Sequence, residues 1–123
     1  MHNILLVEDN KNNSRLMEQL ILDIDDTIKL FIAESGVIAL NAAKNNQFDL
    51  VIMDISLPDM DGISLTKELK KDEKFSDIPF IAATAHAMKE DEDRFLKIFE
   101  DYISKPVDDE IFEKIVRKWL GLK

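Results

Sequence analysis

Residues 50–62 read Leu-Val-Ile-Met-Asp-Ile-Ser-Leu-Pro-Asp-Met-Asp-Gly. Four apolar residues, Leu50 to Met53, run without alternation into Asp54, and a loop rich in turn formers follows. A continuous run of this length suits a strand buried on both faces, as parallel strands are. Asp54 then stands at the carboxyl end of a buried strand, where an unpaired carboxylate costs several kcal/mol. Its partners must come from other strand ends.

Working outward, the same kind of run recurs at Ile4–Val7, Leu30–Ala33, Phe80–Ala83 and Tyr102–Ile103. Stretches with helical spacing separate the runs: Leu16, Leu20 and Ile24; then Val37, Leu40 and Ala43; then Ile63, Thr66 and Leu69. The clearest is the last, with Ile111, Phe112, Ile115, Val116, Trp119 and Leu120 as its apolar stripe and Asp108, Asp109 and Glu110 in its first turn, where the helix dipole favours acids. Strand and helix alternate five times, which predicts an α/β fold: a five-stranded parallel, doubly wound sheet with helices on both faces.

In such a sheet the carboxyl ends share one edge, and ligands bind there. The residues that follow the runs are Glu8 and Asp9, Asp54, Thr84 and Lys105. Three converging carboxylates suit a hard divalent cation with oxygen ligands, Mg2+ foremost. A divalent cation, a lysine and a hydroxyl are the groups that hold phosphoryl oxygens while a carboxylate attacks the phosphorus.

Size and charge limit the alternatives. The 123 residues, 46% of them hydrophobic, suffice for one domain (1–123) and leave no room for a second. With 16 basic against 25 acidic residues the net charge is −9, which disfavours direct contact with nucleic acid or an anionic membrane. There is no cysteine, hence no disulfide and no thiolate zinc site. No apolar run reaches the length of a signal-peptide core or a membrane span, so a cytoplasmic protein is expected. No repeat, low-complexity segment or linker is present.

Four segments in order, "LLVEDN", "DLVIMDISLPDMDG", "IPFIAATA" and "DYISKP", resemble the receiver domain of bacterial two-component response regulators, and the resemblance runs from Ile4 to about Leu120. It implies the flavodoxin-like strand order 2-1-3-4-5. It further implies that Asp54 is the phosphoacceptor, that Asp9, Asp54 and the backbone carbonyl of Ser56 are Mg2+ ligands, and that Glu8 acts on the metal through water. Thr84 and Lys105 would bind the phosphoryl group, Lys105-Pro106 would be the family's cis peptide, and Tyr102 its rotating aromatic switch. Ser56 and His86 would tune the lifetime of the acyl phosphate. The family's usual glycine before the fifth strand is missing from "LKIFEDYISKP".

The resemblance implies a phosphorylation-operated signalling switch that takes its phosphoryl group from a sensor histidine kinase or a histidine phosphotransfer protein. It would catalyse only its own phosphorylation and dephosphorylation. A start at Met1 and an end just past the fifth helix lead us to expect a free protein without an effector domain. Its output would be a change in contact with a downstream target protein, on the face of the fourth helix, fifth strand and fifth helix.

Other readings compete. A receiver-like interaction module that is never phosphorylated would have no use for Asp54, Asp9, Thr84 and Lys105 together. A haloacid-dehalogenase-like phosphatase wants a second Asp two residues after its nucleophile, where Ser56 stands. A flavodoxin-like electron carrier wants a Ser/Thr/Gly-rich phosphate loop after the first strand, where "EDNKNN" is acidic and glycine-free. In "LPDMDGISLTKE", Asp59, Asp61, Gly62 and Glu68 fall on positions 3, 5, 6 and 12 of an EF-hand loop. However, Leu57 takes the first ligand position and a strand precedes the loop, so Asp61-Gly62 reads as a turn into the third helix. "KEDEDR", Lys89 to Arg94, reads as a solvated helix face, and His86 with only a distant His2 makes no zinc site.

Overall fold

The structure, a computed structural model, describes residues 2–85 and 98–122. Five strands, β1 (Asn3–Val7), β2 (Lys29–Ala33), β3 (Leu50–Asp54), β4 (Phe80–Thr84) and β5 (Asp101–Ser104), form one sheet in the order β2-β1-β3-β4-β5, every pair parallel. The helices are α1 (Lys11–Ile24), α2 (Gly36–Asn45), α3 (Gly62–Lys70), the single turn α4 (Glu73–Ser76) and α5 (Asp109–Leu120). The expected fourth crossover helix, the "KEDEDR" run and His86 lie outside the described residues.

Side chains of a strand alternate between the faces of a sheet, so each face builds its own core. On one face Leu5, Val7, Val51, Met53, Phe80 and Ala82 pack with Ala39, Ala42, Ala43, Leu65 and Leu69 of α2 and α3. On the other, Ile4, Leu6, Leu50, Ile52, Ile81 and Ala83 pack with Met17, Ile21, Phe112 and Val116 of α1 and α5. The central strand β3 is buried along its whole length. Covering the sheet on both faces is what makes the apolar runs continuous.

The edge strands depart from the sequence expectation. In β2, Lys29 and Phe31 are exposed, because an edge strand has a neighbour on one side only. The helix stripes also shift. Val37 of α2 is 59% exposed while Gly36, Ala39, Ala42 and Ala43 are buried, and in α1 the buried positions are Ser14, Met17 and Ile21 rather than Leu16, which is exposed. The small residues let α2 approach the sheet closely, and its larger side chains are left outside.

Helix starts are capped by local side chains. Asn10, Ser35, Asp61 and Asp108 accept from the backbone N–H of Asn13, Ile38, Ser64 and Ile111, each worth about 1 kcal/mol. Gly121 ends α5 in the left-handed conformation, φ 74°. Before β5, where the family's glycine is missing, Lys70 Nζ of α3 donates to the Ile98 carbonyl (2.8 Å) and pairs with Glu100 (3.2 Å). Glu100 also accepts from the Phe80 amide.

Candidate functional site

The residues after the strands come together because the backbone ladder continues past the strand ends. Glu8 N donates to Ala33 O (2.9 Å), Ile55 N to Ala83 O (3.2 Å) and Lys105 N to Thr84 O (2.9 Å). In register, Asp54 stands opposite Ala83, and Thr84 opposite Ser104. Glu8, Asp54, Thr84 and Lys105 are thus held at one level of the sheet by main-chain bonds, before any side chain interacts.

Glu8 and Asp54 are 1% and 4% exposed, whereas Asp9 is exposed at the mouth of the site. Carboxylate oxygens of the three lie within 4.8 Å of one another. Lys105 Nζ reaches in to 2.6 Å from Glu8 Oε1 and 3.4 Å from Asp54 Oδ1. The Ser56 amide donates to Asp54 Oδ1 at 3.0 Å, and the Asn10 amide to Glu8 Oε2 at 3.3 Å. Thr84, 5% exposed, closes the β4 side. The Lys105–Pro106 peptide bond is cis.

Burial pushes the Asp54 carboxyl up to about 7, aided by a hydrogen bond with the Glu8 carboxyl and by its charge; the Ser56 amide and the Lys105 ammonium act the other way without cancelling this. One lysine therefore faces two buried acids and an exposed third. Glu8 Oε1 is buried with no aligned hydrogen bond among the described residues, only the Lys105 charge beside it. An all-oxygen acidic set, largely buried and too crowded for its own charge, fits a small hard divalent cation.

The structure brings Glu8, Asp9, Asp54 and Lys105 together and sets Thr84 at the adjoining strand end. Ser56 reaches Asp54 through its backbone amide, and it pairs across the loop with Asp61 in an isolated bridge. Tyr102 is half-buried; its register partner Ala82 lies two residues before Thr84, so Tyr102 and Thr84 are diagonal neighbours on the same face of the β4–β5 pair. Two supporting residues escape a reading of the sequence as a site. A Cβ on Gly62 would lie 2.3 Å from the Asp54 carbonyl oxygen and 2.8 Å from Ile55 Cα, so only glycine lets α3 begin against the back of the acceptor strand. Its place after Asp61 in a turn is visible in the sequence; the close approach is not. Asp59 is the other, and it reaches a different helix altogether.

A parallel sheet of this order, with acids, a hydroxyl and a lysine at its carboxyl ends, is a flavodoxin-like doubly wound fold with an acidic site at its carboxyl edge. The chain belongs to the response regulator receiver domain family, whose sequence model matches residues 4–117. It is 42% identical over 120 residues to the polar-differentiation response regulator DivK of Brucella ovis, a match that covers 96% of this chain and 95% of that protein. Among solved structures, the receiver domain of sensor histidine kinase PA1611 from Pseudomonas aeruginosa, with a magnesium ion coordinated in its active-site cleft, superposes with a TM-score of 0.86 at 31% identity over 98% of each chain. The chemotaxis response regulator CheY4 of Vibrio cholerae has the same fold, with a TM-score of 0.88 at 21% identity over 97% of this chain and 98% of that one.

Family membership places the chain in two-component signalling based on phosphorylation, in which receiver domains act as switches between histidine kinases and downstream effectors. Among the described residues no helix is long and apolar enough to cross a membrane.

Proposed function

We propose that residues 1–123 work as one receiver domain that accepts a phosphoryl group on Asp54 from the phosphohistidine of a sensor histidine kinase or histidine phosphotransfer protein. An Asp54 carboxylate oxygen bonds to phosphorus as the P–N bond breaks. The imidazole leaves with the electron pair of that bond, and an acyl phosphate remains. What carries this reading is the pairing of one half-buried lysine with two buried carboxylates at the strand ends, beside an exposed third.

Asp9, Asp54 and the Ser56 carbonyl would hold Mg2+, with Glu8 acting through water. The ion supplies positive charge to the phosphoryl oxygens and favours the ionised form of Asp54. Lys105, already 3.4 Å from Asp54 Oδ1, neutralises a phosphoryl oxygen at the same place. Thr84 offers its hydroxyl to another oxygen. Burial of Asp54 keeps water from the site and strengthens each of these interactions. Ser56 and His86, two residues past Asp54 and Thr84, would set how readily water reaches the acyl phosphate.

On phosphorylation the Thr84 hydroxyl moves toward the new oxygens, and the Tyr102 ring, diagonal to it, turns inward into the space released. A groove of about 450 Å³, lined among the described residues by Tyr102, Ser104, Pro106, Asp108, Ile111 and Ile115, borders that ring and supports the assignment of the β5–α5 side as the output face for a downstream target. Such a switch biases two existing states, by about 1–3 kcal/mol.

Incubation with acetyl phosphate and Mg2+ followed by intact-mass measurement tests the reading. Wild type should gain the mass of one phosphate and Asp54→Asn none. Labelling of that variant at the wild-type rate would show a wrong acceptor, and an unmodified wild type would favour the non-phosphorylated interaction module.

A further inference from the structure

The loop between β3 and α3, residues 55–61, is tied at its base and at its tip by different devices. At the base, Gly62 N donates to Ile55 O (2.8 Å) and Ser56 bridges to Asp61. At the tip, Asp59 leaves its own loop and grips the start of α2: Oδ1 accepts from Gly36 N (2.9 Å) and Oδ2 from Val37 N (3.1 Å). Both carboxylate oxygens are thus spent on two successive first-turn amides, more than 20 residues away in sequence. Met60 lies over Gly36, where an added Cβ would meet its sulfur at 2.5 Å. The far end of α2 is held from the same crossover, with Lys74 Nζ donating to the Ala43 carbonyl (3.0 Å). Charges of the sign the helix dipole prefers therefore pin α2 at both ends.

α2 already has a local cap in Ser35, which satisfies Ile38 N. Asp59 is therefore not needed to start the helix. Its consequence falls on the loop, whose other side carries Ser56 and, through the Ser56 amide, touches Asp54 Oδ1. We propose that Asp59 is a positioning residue for the metal site: by anchoring the loop tip to α2 it holds the Ser56 backbone where a divalent cation at Glu8, Asp9 and Asp54 can use it. This inference rests on the proposed Mg2+ site and goes beyond it, since it assigns a role to an acid that neither binds the ion nor contacts the phosphoryl group. It also accounts for the EF-hand-like spacing in this loop, because Asp59 and Asp61 serve as caps of α2 and α3 rather than as calcium ligands.

The test is a Mg2+ titration of the full chain, by calorimetry and by amide shifts, for wild type, Asp59→Ala, Asp59→Asn and Ser35→Ala. Asp59→Ala should weaken Mg2+ binding about tenfold, the lower end of what outer partners of metal ligands cost. Asp59→Asn, which keeps one acceptor oxygen, should recover much of this. Ser35→Ala removes a cap of the same helix without touching the loop, and its Kd should match wild type even where its melting temperature falls. In wild type the Gly36 and Val37 amides should shift on Mg2+ addition, as the loop tightens. Equal Kd for Asp59→Ala and wild type, with or without a drop in melting temperature, would reduce Asp59 to a helix cap and overturn the inference. Absence of Mg2+ binding by wild type would instead overturn the metal site itself, and the inference with it.

Discussion

Replacing Asp54 with Asn should remove a loss of stability that the metal-free protein suffers as pH rises. In the folded chain burial, with the Glu8 carboxyl behind it, holds the Asp54 carboxyl up to about 7 against the ordinary 3.8. Between those two values the folded state keeps a proton that the unfolded state has lost. The contribution of Asp54 to stability is therefore greatest below about pH 4 and falls as pH rises toward 7, where the loss levels off. A displacement of that size is worth about 4 kcal/mol, of which about 3 lies between pH 4.5 and 8.5. Asn has nearly the same shape and no charge, and Lys105 keeps Glu8 at 2.6 Å as its partner. The acids whose carboxyls are held below the ordinary value, Asp25 by Thr27, Asp59 by the Gly36 amide and Asp61 by the Ser64 amide, act with the opposite sign and at lower pH. They are common to both proteins and cancel in the difference. Urea denaturation in a chelating buffer at several pH values measures that difference. Asp54→Asn should gain on wild type by about 3 kcal/mol from pH 4.5 to 8.5. Parallel curves across that range would refute the view that burial keeps Asp54 protonated.

Lys105→Ala leaves two buried carboxylates without their cation, and should cost about 3 kcal/mol at pH 8 in urea denaturation, partly restored by Mg2+. Asp9→Ala alters an exposed side chain, so the metal-free melting temperature should hold or rise as repulsion eases, while its increase with millimolar Mg2+ shrinks. Gly62→Ala forces a methyl group onto the Asp54 carbonyl and Ile55 backbone, which cannot swing aside; the clash should exceed the roughly 1 kcal/mol gained in helix propensity and lower the melting temperature. Thr84→Ala should still accept phosphate on Asp54, more slowly, with little of the chemical-shift change at Tyr102 that wild type shows; equal changes in both would leave Thr84 a phosphate ligand only.

The order and kind of elements were legible in the chain because burial on both faces of a parallel sheet writes a continuous apolar run, and β1, β3 and β4 obey it residue by residue. The same rule overstated β2, since an edge strand carries the composition of its sheet while one side of it has no neighbour. Stripes in α1 and α2 were misplaced by about a residue for a related reason: periodicity gives a face, and the packing partner decides whether large or small side chains occupy its centre.

For the site, the sequence by itself determined which chemical groups meet. A parallel sheet has one carboxyl edge, so an acid, a hydroxyl or a lysine written directly after a strand must arrive there, and Glu8, Asp9, Asp54, Thr84 and Lys105 each follow a run. Only the tertiary structure decided how they are balanced and held. That Lys105 lies closer to Glu8 than to Asp54, that burial outweighs its charge at Asp54, and that Asp59 ties the acceptor loop to α2 are properties of distance and desolvation. Those contacts join residues tens of positions apart, and no local pattern encodes them, because the free energy of each depends on where the rest of the chain has excluded water.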